Sequence, residues 1–272
     1  MEKIRYYLLR LLYRVENLVS KIWSVTLGRF IFVKVLGVRD ASVEVASTRF
    51  VRQKTTIPVP RIFGVVRYRG RQHIFMTRIA GKELSHRRWK AYSQDDRVTI
   101  LAQLRDYISQ IRQIGPPPSS PPLICSVLGG PVMDHRLCVD TPYGPYRDEE
   151  QMNLQVRQGL SVEKFGEAFE LPQEGVELIR HAHSLRHPIV FTHNDIAMRN
   201  ILVEGNRVTG LIDWECSGWF PAHWEYIKAN WTDFDAEDWV RDLREFIPPF
   251  DLENRADWAV GWSRSWRGRL DL

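Results

Sequence analysis

Two short apolar segments separated by Gly205-Asn206 constrain the fold of this chain more than any other feature. Residues 201–204 and 207–212 are mostly β-branched or aliphatic. Glycine followed by asparagine is typical of a two-residue hairpin loop, because glycine readily takes the positive φ that a type II′ turn needs. The sequence therefore predicts a β-hairpin with residues 205–206 as its loop.

The predicted hairpin brings two polar residues together at its open end. The expected cross-strand pairs are Glu204 with Arg207, Leu202 with Thr209, and Asn200 with Leu211. Side chains of a strand alternate faces, so Asp213 is expected on the same face as Asn200. Diagonal neighbours lie roughly 7–8 Å apart at the backbone. Two oxygen-bearing side chains at that spacing can share a cation with ~2.1 Å contacts, the distance that Mg²⁺ prefers.

A third acceptor side chain, Asp195, precedes Asn200 by five residues. It follows the apolar, strand-like run 189–191, so we expect it on a loop above the same end of the hairpin. The layout of His193-x-Asp195, then Asn200, then an aspartate after a hairpin is that of the kinase catalytic loop.

The chain resembles the aminoglycoside phosphotransferase and choline kinase family in Thr-His-Asn-Asp-Ile-Ala-Met-Arg-Asn-Ile-Leu-Val (192–203) and Gly-Leu-Ile-Asp-Trp-Glu (210–215). The continuation 217–229 is similar to the fungal branch of that family. The resemblance implies an α+β, two-lobed protein-kinase-like fold with a shortened N-terminal lobe and a mainly helical C-terminal lobe. Together with an N-terminal amphipathic helix read from apolar periodicity, it gives a small nucleotide-binding lobe in 1–80 and a large catalytic and substrate lobe in 81–272.

The resemblance also implies transfer of the γ-phosphoryl group of ATP to a hydroxyl of a small molecule. Asp195 would orient that hydroxyl and accept its proton, and Asn200 and Asp213 would hold Mg²⁺ at the phosphates. His193 would brace the loop rather than act as an acid or base. Arg199 either helps with phosphate charge or forms a structural ion pair.

Two nucleotide-binding residues are expected near the N-terminus. Residues 29–36 predict a strand that carries Lys34. Asp40 or Ser42 can begin a helix that runs to about residue 53 and carries Glu44 in its first turns. By resemblance, Lys34 holds the ATP phosphates and Glu44 orients the lysine.

Met76 and Arg78 lie in a segment that resembles the hinge between kinase lobes, where backbone groups meet the adenine. An edge strand that enters a glycine turn is the alternative. Residues 24–28, which precede the Lys34 strand, hold one glycine. A kinase small lobe has two strands and a glycine-rich loop there. On this ground, a pseudokinase-like nucleotide-binding or scaffold protein without efficient transfer stays open.

Several helices follow from apolar periodicity. Residues 1–23 predict an amphipathic helix, which we expect to pack on the body. The alternatives are contact with a membrane surface through its basic face and a mitochondrial presequence, against which Glu2 and Glu16 count. A second helix begins at Asp95 or Asp96, with a buried stripe expected at Val98, Leu101, Leu104, Ile108, Ile111 and Ile114. Two more are predicted at 161–169 and 173–185.

The composition is that of a globular protein, with 44% hydrophobic and 26% charged residues. The net charge is +5, but no dense Lys/Arg run is interleaved with aromatic residues, so a nucleic-acid partner is not expected. The three cysteines are scattered and form no C-x-x-C pair, which favours a reducing, cytoplasmic location. The sequence leaves the oligomeric state open.

The acceptor is the least constrained part of the prediction. Residues 233–257 carry nine Asp or Glu residues, which would suit a cationic acceptor, although a solvated acidic face is the commoner use. Asp134 and the turn 143–146 are further candidates, because the family's substrate site lies near this region.

Four histidines, His181, His183, His187 and His193, raise the question of a zinc site. His183 and His187 would share a helix face, but Pro188 follows at once. No cysteine or suitably spaced acid completes a tetrahedral ligand set in the sequence. We therefore do not predict zinc from the sequence.

Overall fold

The computed structural model describes residues 27–36, 40–116, 124–136, 142–232 and 236–267. The predicted amphipathic helix over 1–23, with its alternative of membrane contact, lies outside these residues, as do Asp233 and Asp235. None of the helices in the described ranges has the length and apolar character that crossing a bilayer requires. The chain divides into two compact units.

The smaller unit comprises residues 1–41 and 60–79. Its described part is a three-stranded antiparallel sheet in the order β1–β3–β2. The strands are β1 (Ile31–Leu36), β2 (Ile62–Tyr68) and β3 (Arg71–Thr77). Arg69 and Gly70 both take positive φ and turn β2 into β3. A short 3₁₀ helix, Leu27–Arg29, precedes β1.

The larger unit comprises residues 42–59 and 80–272. Its helices are α1 (Ser42–Lys54), α2 (His86–Ala91), α3 (Gln94–Arg112), α4 (Glu149–Val156), α5 (Val162–Ala168), α6 (Gln173–Ser184), α7 (Trp224–Thr232), α8 (Glu237–Asp242) and α9 (Asp251–Arg267). Helix α1 groups with this unit, whereas the sequence division assigned residues 1–80 to the small lobe. The reason is packing: the Phe50 ring lies 5.4 Å from Phe191 and 5.7 Å from Trp219.

Helix α3 shows how sequence signals set an element's ends. Ser93 is the N-cap, and its hydroxyl accepts the backbone N–H of Asp96. The predicted stripe is correct at Leu101, Leu104, Ile108 and Ile111, which are buried. Val98 is exposed, and Ile100 is buried instead. The buried stripe is therefore rotated at the first turn of the helix.

Two further three-stranded antiparallel sheets lie in the larger unit. The first has the order β4–β7–β8, from Lys82–Glu83, Ile201–Glu204 and Arg207–Leu211. The second has the order β5–β9–β6, from Cys125–Ser126, Gly218–Pro221 and Ile189–Thr192. Two clusters of buried apolar side chains fill the unit, one around Trp89, Trp214 and Trp239 and the other around Phe165, Phe220 and Trp224.

The β7–β8 hairpin is present, but its predicted register is wrong beyond the first two pairs. Glu204 lies opposite Arg207 as predicted, whereas Leu202 lies opposite Gly210. A β-bulge at this point inserts one extra residue, Thr209, into β8. The pairing is shifted by one residue from there on, so the backbone oxygen of Asn200 accepts the N–H of Ile212 at 2.9 Å.

Arg157 joins the C-terminal end of α4 to α6. Its guanidinium donates to Nδ1 of His183 and to the backbone oxygen of Leu160. An arginine can only donate, so the Nδ1 of His183 must carry a lone pair. Burial, together with the positive charges of Arg157 and Arg136, lowers the pKa of His183 to about 3.

We predict that His183 makes the protein sensitive to acid. The unfolded chain takes up a proton on this residue below about pH 6.5, whereas the folded chain does so only near pH 3, so stability is lost as the pH falls. At pH 5 the expected loss is about 2 kcal/mol. His183→Asn keeps an acceptor near the Nδ1 position, and it should remove this part of the pH dependence.

Urea unfolding measured between pH 7.5 and pH 5 checks this prediction. The exposed His181, on the same helix, provides the matched control, and His181→Asn should follow the wild type. An equal loss of stability in wild type and His183→Asn would contradict it.

Candidate active site

The polar loop between β6 and β7 carries most of the predicted catalytic residues. Strand β6 is buried at Phe191 and Thr192, and it fixes where the loop begins. Asn194 then takes φ 64°, so the chain turns sharply there. A 3₁₀ helix, Met198–Asn200, leads into β7. The loop residues are therefore held between two sheets.

Asp195 and Asn200 are brought into direct contact. The amide nitrogen of Asn200 donates to Oδ2 of Asp195 at 2.8 Å and to its backbone oxygen at 2.9 Å. Asp195 is 7% exposed and Asn200 is buried. Because the amide nitrogen faces Asp195, the amide oxygen of Asn200 points away from it. That oxygen is the atom that can bind a cation.

Arg199 forms an ion pair with Asp195, with its guanidinium 2.7 Å from Oδ2. The side chain of Arg199 is 52% exposed, whereas that of Asp195 is 10% exposed. Of the two roles expected for Arg199, the structure contains the ion pair.

His193 is fully buried and both of its ring nitrogens are used. Nδ1 accepts the backbone N–H of Asp195 at 3.2 Å, and Nε2 donates to the backbone oxygen of Ile212 at 3.0 Å. The ring packs at 4.4 Å against Trp214. Burial lowers the pKa of His193, so the neutral ring is favoured. This residue links the loop to the segment that follows β8.

Glu225 on α7 was not identified from the sequence. Its carboxylate accepts the backbone N–H groups of His193 at 2.7 Å and Asn194 at 2.9 Å. Burial raises the pKa of Glu225 to about 7, against the lowering effects of these amides and of Arg112. The available signal was an acid flanked by Trp224 and Tyr226, both of which are buried.

Asp213 lies in an acidic group rather than on a regular strand. It takes φ 68° and ψ 64° at the start of the 3₁₀ helix Trp214–Cys216, so the period-two argument does not apply to it. Carboxylate oxygens of Asp213, Glu44 and Glu215 lie within 4.8 Å of one another. Glu215 is a second residue that the sequence reasoning missed, although it belongs to the quoted Asp-Trp-Glu segment.

This donor set fits a hard divalent cation. Mg²⁺ takes carboxylate and amide oxygens and retains several waters, and the group contains oxygen donors. Like charges that converge also favour a bound cation, because each carboxylate raises the cost of ionising the others. Asp213 and Asn200 are the residues predicted to hold Mg²⁺, and Glu44 and Glu215 extend that set.

His135 borders the acidic group. Its Nε2 lies 3.1 Å from Glu215, and this hydrogen bond raises the pKa of His135. The neighbouring Asp134 is buried and bonded to Lys228 at 2.7 Å and to Trp224 at 2.9 Å. The carboxylate of Asp134 is therefore engaged by side chains of the protein itself, which makes Asp134 a weaker candidate for binding the acceptor.

The remaining predicted residues lie in the smaller unit. Lys34 is on β1 opposite Ile74, and Met76 is buried on β3 opposite Phe32. The guanidinium of Arg78 donates to the backbone oxygen of Gly28 and lies 5.3 Å from the Phe32 ring. The joint action of these residues with Glu44 and the catalytic loop stays a prediction.

We predict that Glu225 holds the loop in place through its two backbone contacts. Glu225→Gln keeps the side chain's shape but turns one acceptor into a donor, which then faces a backbone N–H group. Losing one such bond costs about 1–3 kcal/mol. Amide exchange at residues 193 and 194 should therefore accelerate about 10-fold or more, as measured by hydrogen–deuterium exchange.

Glu174→Gln, at an exposed position in the first turn of α6, is the matched control. It should leave exchange of the loop unchanged. Unchanged exchange in Glu225→Gln as well would show that the two contacts do not hold the loop.

Comparison with solved structures gives matches over most of the chain. The GDP and kanamycin complex of APH(2″)-IIia covers 93% of this chain and 93% of that chain, with 12% identity and a TM-score of 0.54. The gentamicin–APH(2″)-IIa complex covers 89% and 82%, with 16% identity and a TM-score of 0.51. ADP-bound APH(2″)-Ib, an aminoglycoside phosphotransferase, covers 85% and 75%, with 15% identity and a TM-score of 0.50.

At these identities the likeness concerns the fold, and it confirms the predicted α+β, protein-kinase-like class. A search of curated protein sequences finds no match. The sequence model of the APH phosphotransferase enzyme family matches residues 15–263. That match spans most of the 272 residues, and the chain therefore belongs to the phosphotransferase enzyme family.

Proposed function

We propose that this chain transfers the γ-phosphoryl group of ATP to a hydroxyl group of a small molecule. The observation that carries the proposal is the buried contact between Asp195 and Asn200, whose backbone oxygen accepts the N–H of Ile212, the residue before Asp213 of the acidic group. A carboxylate near a cation-binding amide is the arrangement that phosphoryl transfer to an alcohol needs. Family membership supports the reaction class.

Asp195 would act on the acceptor through its second oxygen. Arg199 and Asn200 both donate to Oδ2, so Oδ1 is the atom proposed to receive the acceptor hydroxyl. Carboxylates are weak bases toward alcohols. Proton transfer would therefore come late, when the bond to the phosphoryl group has largely formed. Most of the rate then comes from positioning and electrostatics.

The remaining predicted residues would bind the nucleotide and its metal ion. Asn200 and Asp213, together with Glu215, would hold Mg²⁺, which supplies positive charge at the phosphates when it is bound. Lys34, in the smaller unit, is proposed to hold the phosphates that are not transferred. The solved complexes contain ADP in one case and GDP in another, so the choice of base needs its own test.

The acceptor is proposed to be a hydroxylated small molecule, and its charge is left to experiment. The solved relatives bind gentamicin and kanamycin. Much of the acidic charge near the C-terminus is paired within the protein: Asp238 and Asp242 with Arg241, Asp251 with Arg244, and Asp257 with Arg136. This stretch therefore gives less support to a cationic acceptor than its composition indicates.

We predict that Asp195→Asn lowers kcat by about 10²–10⁴-fold while nucleotide affinity changes little. The amide cannot accept the hydroxyl proton, but it keeps the size of the side chain. Release of ADP against a panel of hydroxylated amines and sugars measures turnover, and calorimetry measures nucleotide binding. Asp95→Asn, at an exposed site in the first turn of α3, is the control. Turnover by Asp195→Asn equal to that of the wild type would contradict the mechanism.

A second prediction concerns the cation. ATP at about 100 times its dissociation constant should stabilise the protein by about 2.7 kcal/mol, which is a rise of several degrees in Tm for a chain of this size. The stabilisation should require Mg²⁺, and Asp213→Asn should lose it. Thermal unfolding with ATP or GTP, with and without Mg²⁺, measures both the metal dependence and the base preference.

A scaffold protein that does not transfer phosphate would give a different pattern. It could bind the nucleotide, but Mg²⁺ would not change the stabilisation and no acceptor would release ADP. Stabilisation that is equal in wild type and Asp213→Asn would also contradict the assigned cation ligands.

A further inference from the structure

Strands β6 and β9 bring two histidines together at the end opposite the catalytic loop. Ile189 lies opposite Pro221, and the N–H of Ala222 donates to the backbone oxygen of Pro188 at 3.0 Å. The next pair outward is His187 and His223. Side chains of directly opposed residues lie close together, and the two ring centroids are 4.4 Å apart.

A carboxylate from a distant helix completes a triangle with these rings. Glu149, the first residue of α4, places Oε1 2.8 Å from Nδ1 of His187 and 3.5 Å from Nδ1 of His223. The two Nδ1 atoms are 3.1 Å apart. The three side chains are at most 9% exposed. One oxygen and two nitrogens therefore converge on a single buried point.

The size of this triangle matches a zinc coordination sphere. Zn²⁺ binds histidine nitrogen and carboxylate oxygen at about 2.0–2.2 Å, so tetrahedral ligand atoms lie about 3.3 Å from one another. The observed edges of 2.8, 3.1 and 3.5 Å bracket that value. Two histidines and a glutamate are also a ligand set that zinc uses in proteins.

The surroundings of His187 orient it as a ligand. Its other nitrogen, Nε2, lies 3.0 Å from Oε1 of Glu253 on α9. The Glu253 carboxylate accepts the proton on Nε2, so Nδ1 keeps its lone pair for a metal. This arrangement is usual for metal-bound histidine. Phe250 packs against both rings, at 5.6 Å from His187 and 6.2 Å from His223.

Charge and space also agree with a divalent cation. Glu149, which is buried, and Glu253, whose side chain is 11% exposed, contribute two negative charges, which a divalent ion balances when both histidines are neutral. A cavity of about 10 Å³ is lined by Glu149, His223 and Glu253, among others. That volume is about what one water needs.

We propose that Glu149, His187 and His223 bind one Zn²⁺ ion that has a structural role, with Glu253 as the outer carboxylate that orients His187. The ion joins the start of α4 to the outer end of the β6–β9 pair. The sequence argument considered ligands close to one another in the chain, whereas here the acid is 38 residues from His187 and the second histidine is 36 residues away. The site is independent of the proposed catalytic function.

Metal binding to the full chain tests the proposal without any activity measurement. Chelator-treated protein is titrated with Zn²⁺ in a large excess of Mg²⁺, which occupies the carboxylates near Asp213. One Zn²⁺ per chain is expected by elemental analysis after dialysis. Zn²⁺ should also raise Tm, and Co²⁺ should give the visible absorption bands of a tetrahedral site.

Variants locate the site. His223→Asn and Glu149→Gln should each weaken Zn²⁺ binding at least 100-fold, and Glu253→Gln should weaken it about 10–100-fold. His181→Asn, on an exposed face, and Asp213→Asn, in the acidic group, should bind as the wild type does. Circular dichroism of each chelator-treated variant reports whether it folds.

Three results would overturn the proposal. Wild-type protein could bind no Zn²⁺ and give no tetrahedral Co²⁺ spectrum, and this result needs no variant to fold. Zn²⁺ binding could be lost in Asp213→Asn and retained in His223→Asn, which would place the ion in the candidate active site. Equal Zn²⁺ binding in all folded variants would show that Zn²⁺ binds only non-specifically at the protein surface. In each case a protonated His187 between Glu149 and Glu253 would explain the cluster.

Discussion

The contact between Glu225 and the loop 193–200 is the constraint on which the rest of the candidate site depends. A buried carboxylate is costly unless hydrogen bonds compensate it, and here two consecutive backbone amides do so. The same contact fixes Asn194 in its positive-φ conformation. The loop therefore leaves β6 in one direction, and Asp195 is presented at a fixed position above Asn200.

The hairpin illustrates how far local sequence rules reach. Gly205-Asn206 correctly gave the loop and the first two pairs, because turn chemistry acts over a few residues. The bulge at Thr209 has no strong local signal, and it shifted every later pair. The sequence argument placed Asp213 by strand alternation, which does not apply to it. Asp213 has a left-handed backbone conformation, and this conformation determines where its side chain points.

Residues that act across the fold were the ones that sequence reasoning missed. Glu225 lies 32 positions from His193, and Glu215 meets a helix residue, Glu44, far earlier in the chain. Neither pair has a spacing that a helix or strand period can predict. Motif resemblance predicted Asp195, Asn200 and Asp213 because these positions stand in a fixed order along the chain, whereas the partners of Glu225 and Glu215 are set by packing.

Strands β6 and β9 carry both the candidate active site and the histidine cluster, at opposite ends of a short ladder. The strands contribute only four residues each, Ile189–Thr192 and Gly218–Pro221. A ladder this short is easily frayed, because few backbone hydrogen bonds hold it. Groups that fasten one end reduce the motion available to the other. His187, through Glu149 and Glu253, fastens the outer end, as Glu225 fastens the inner end.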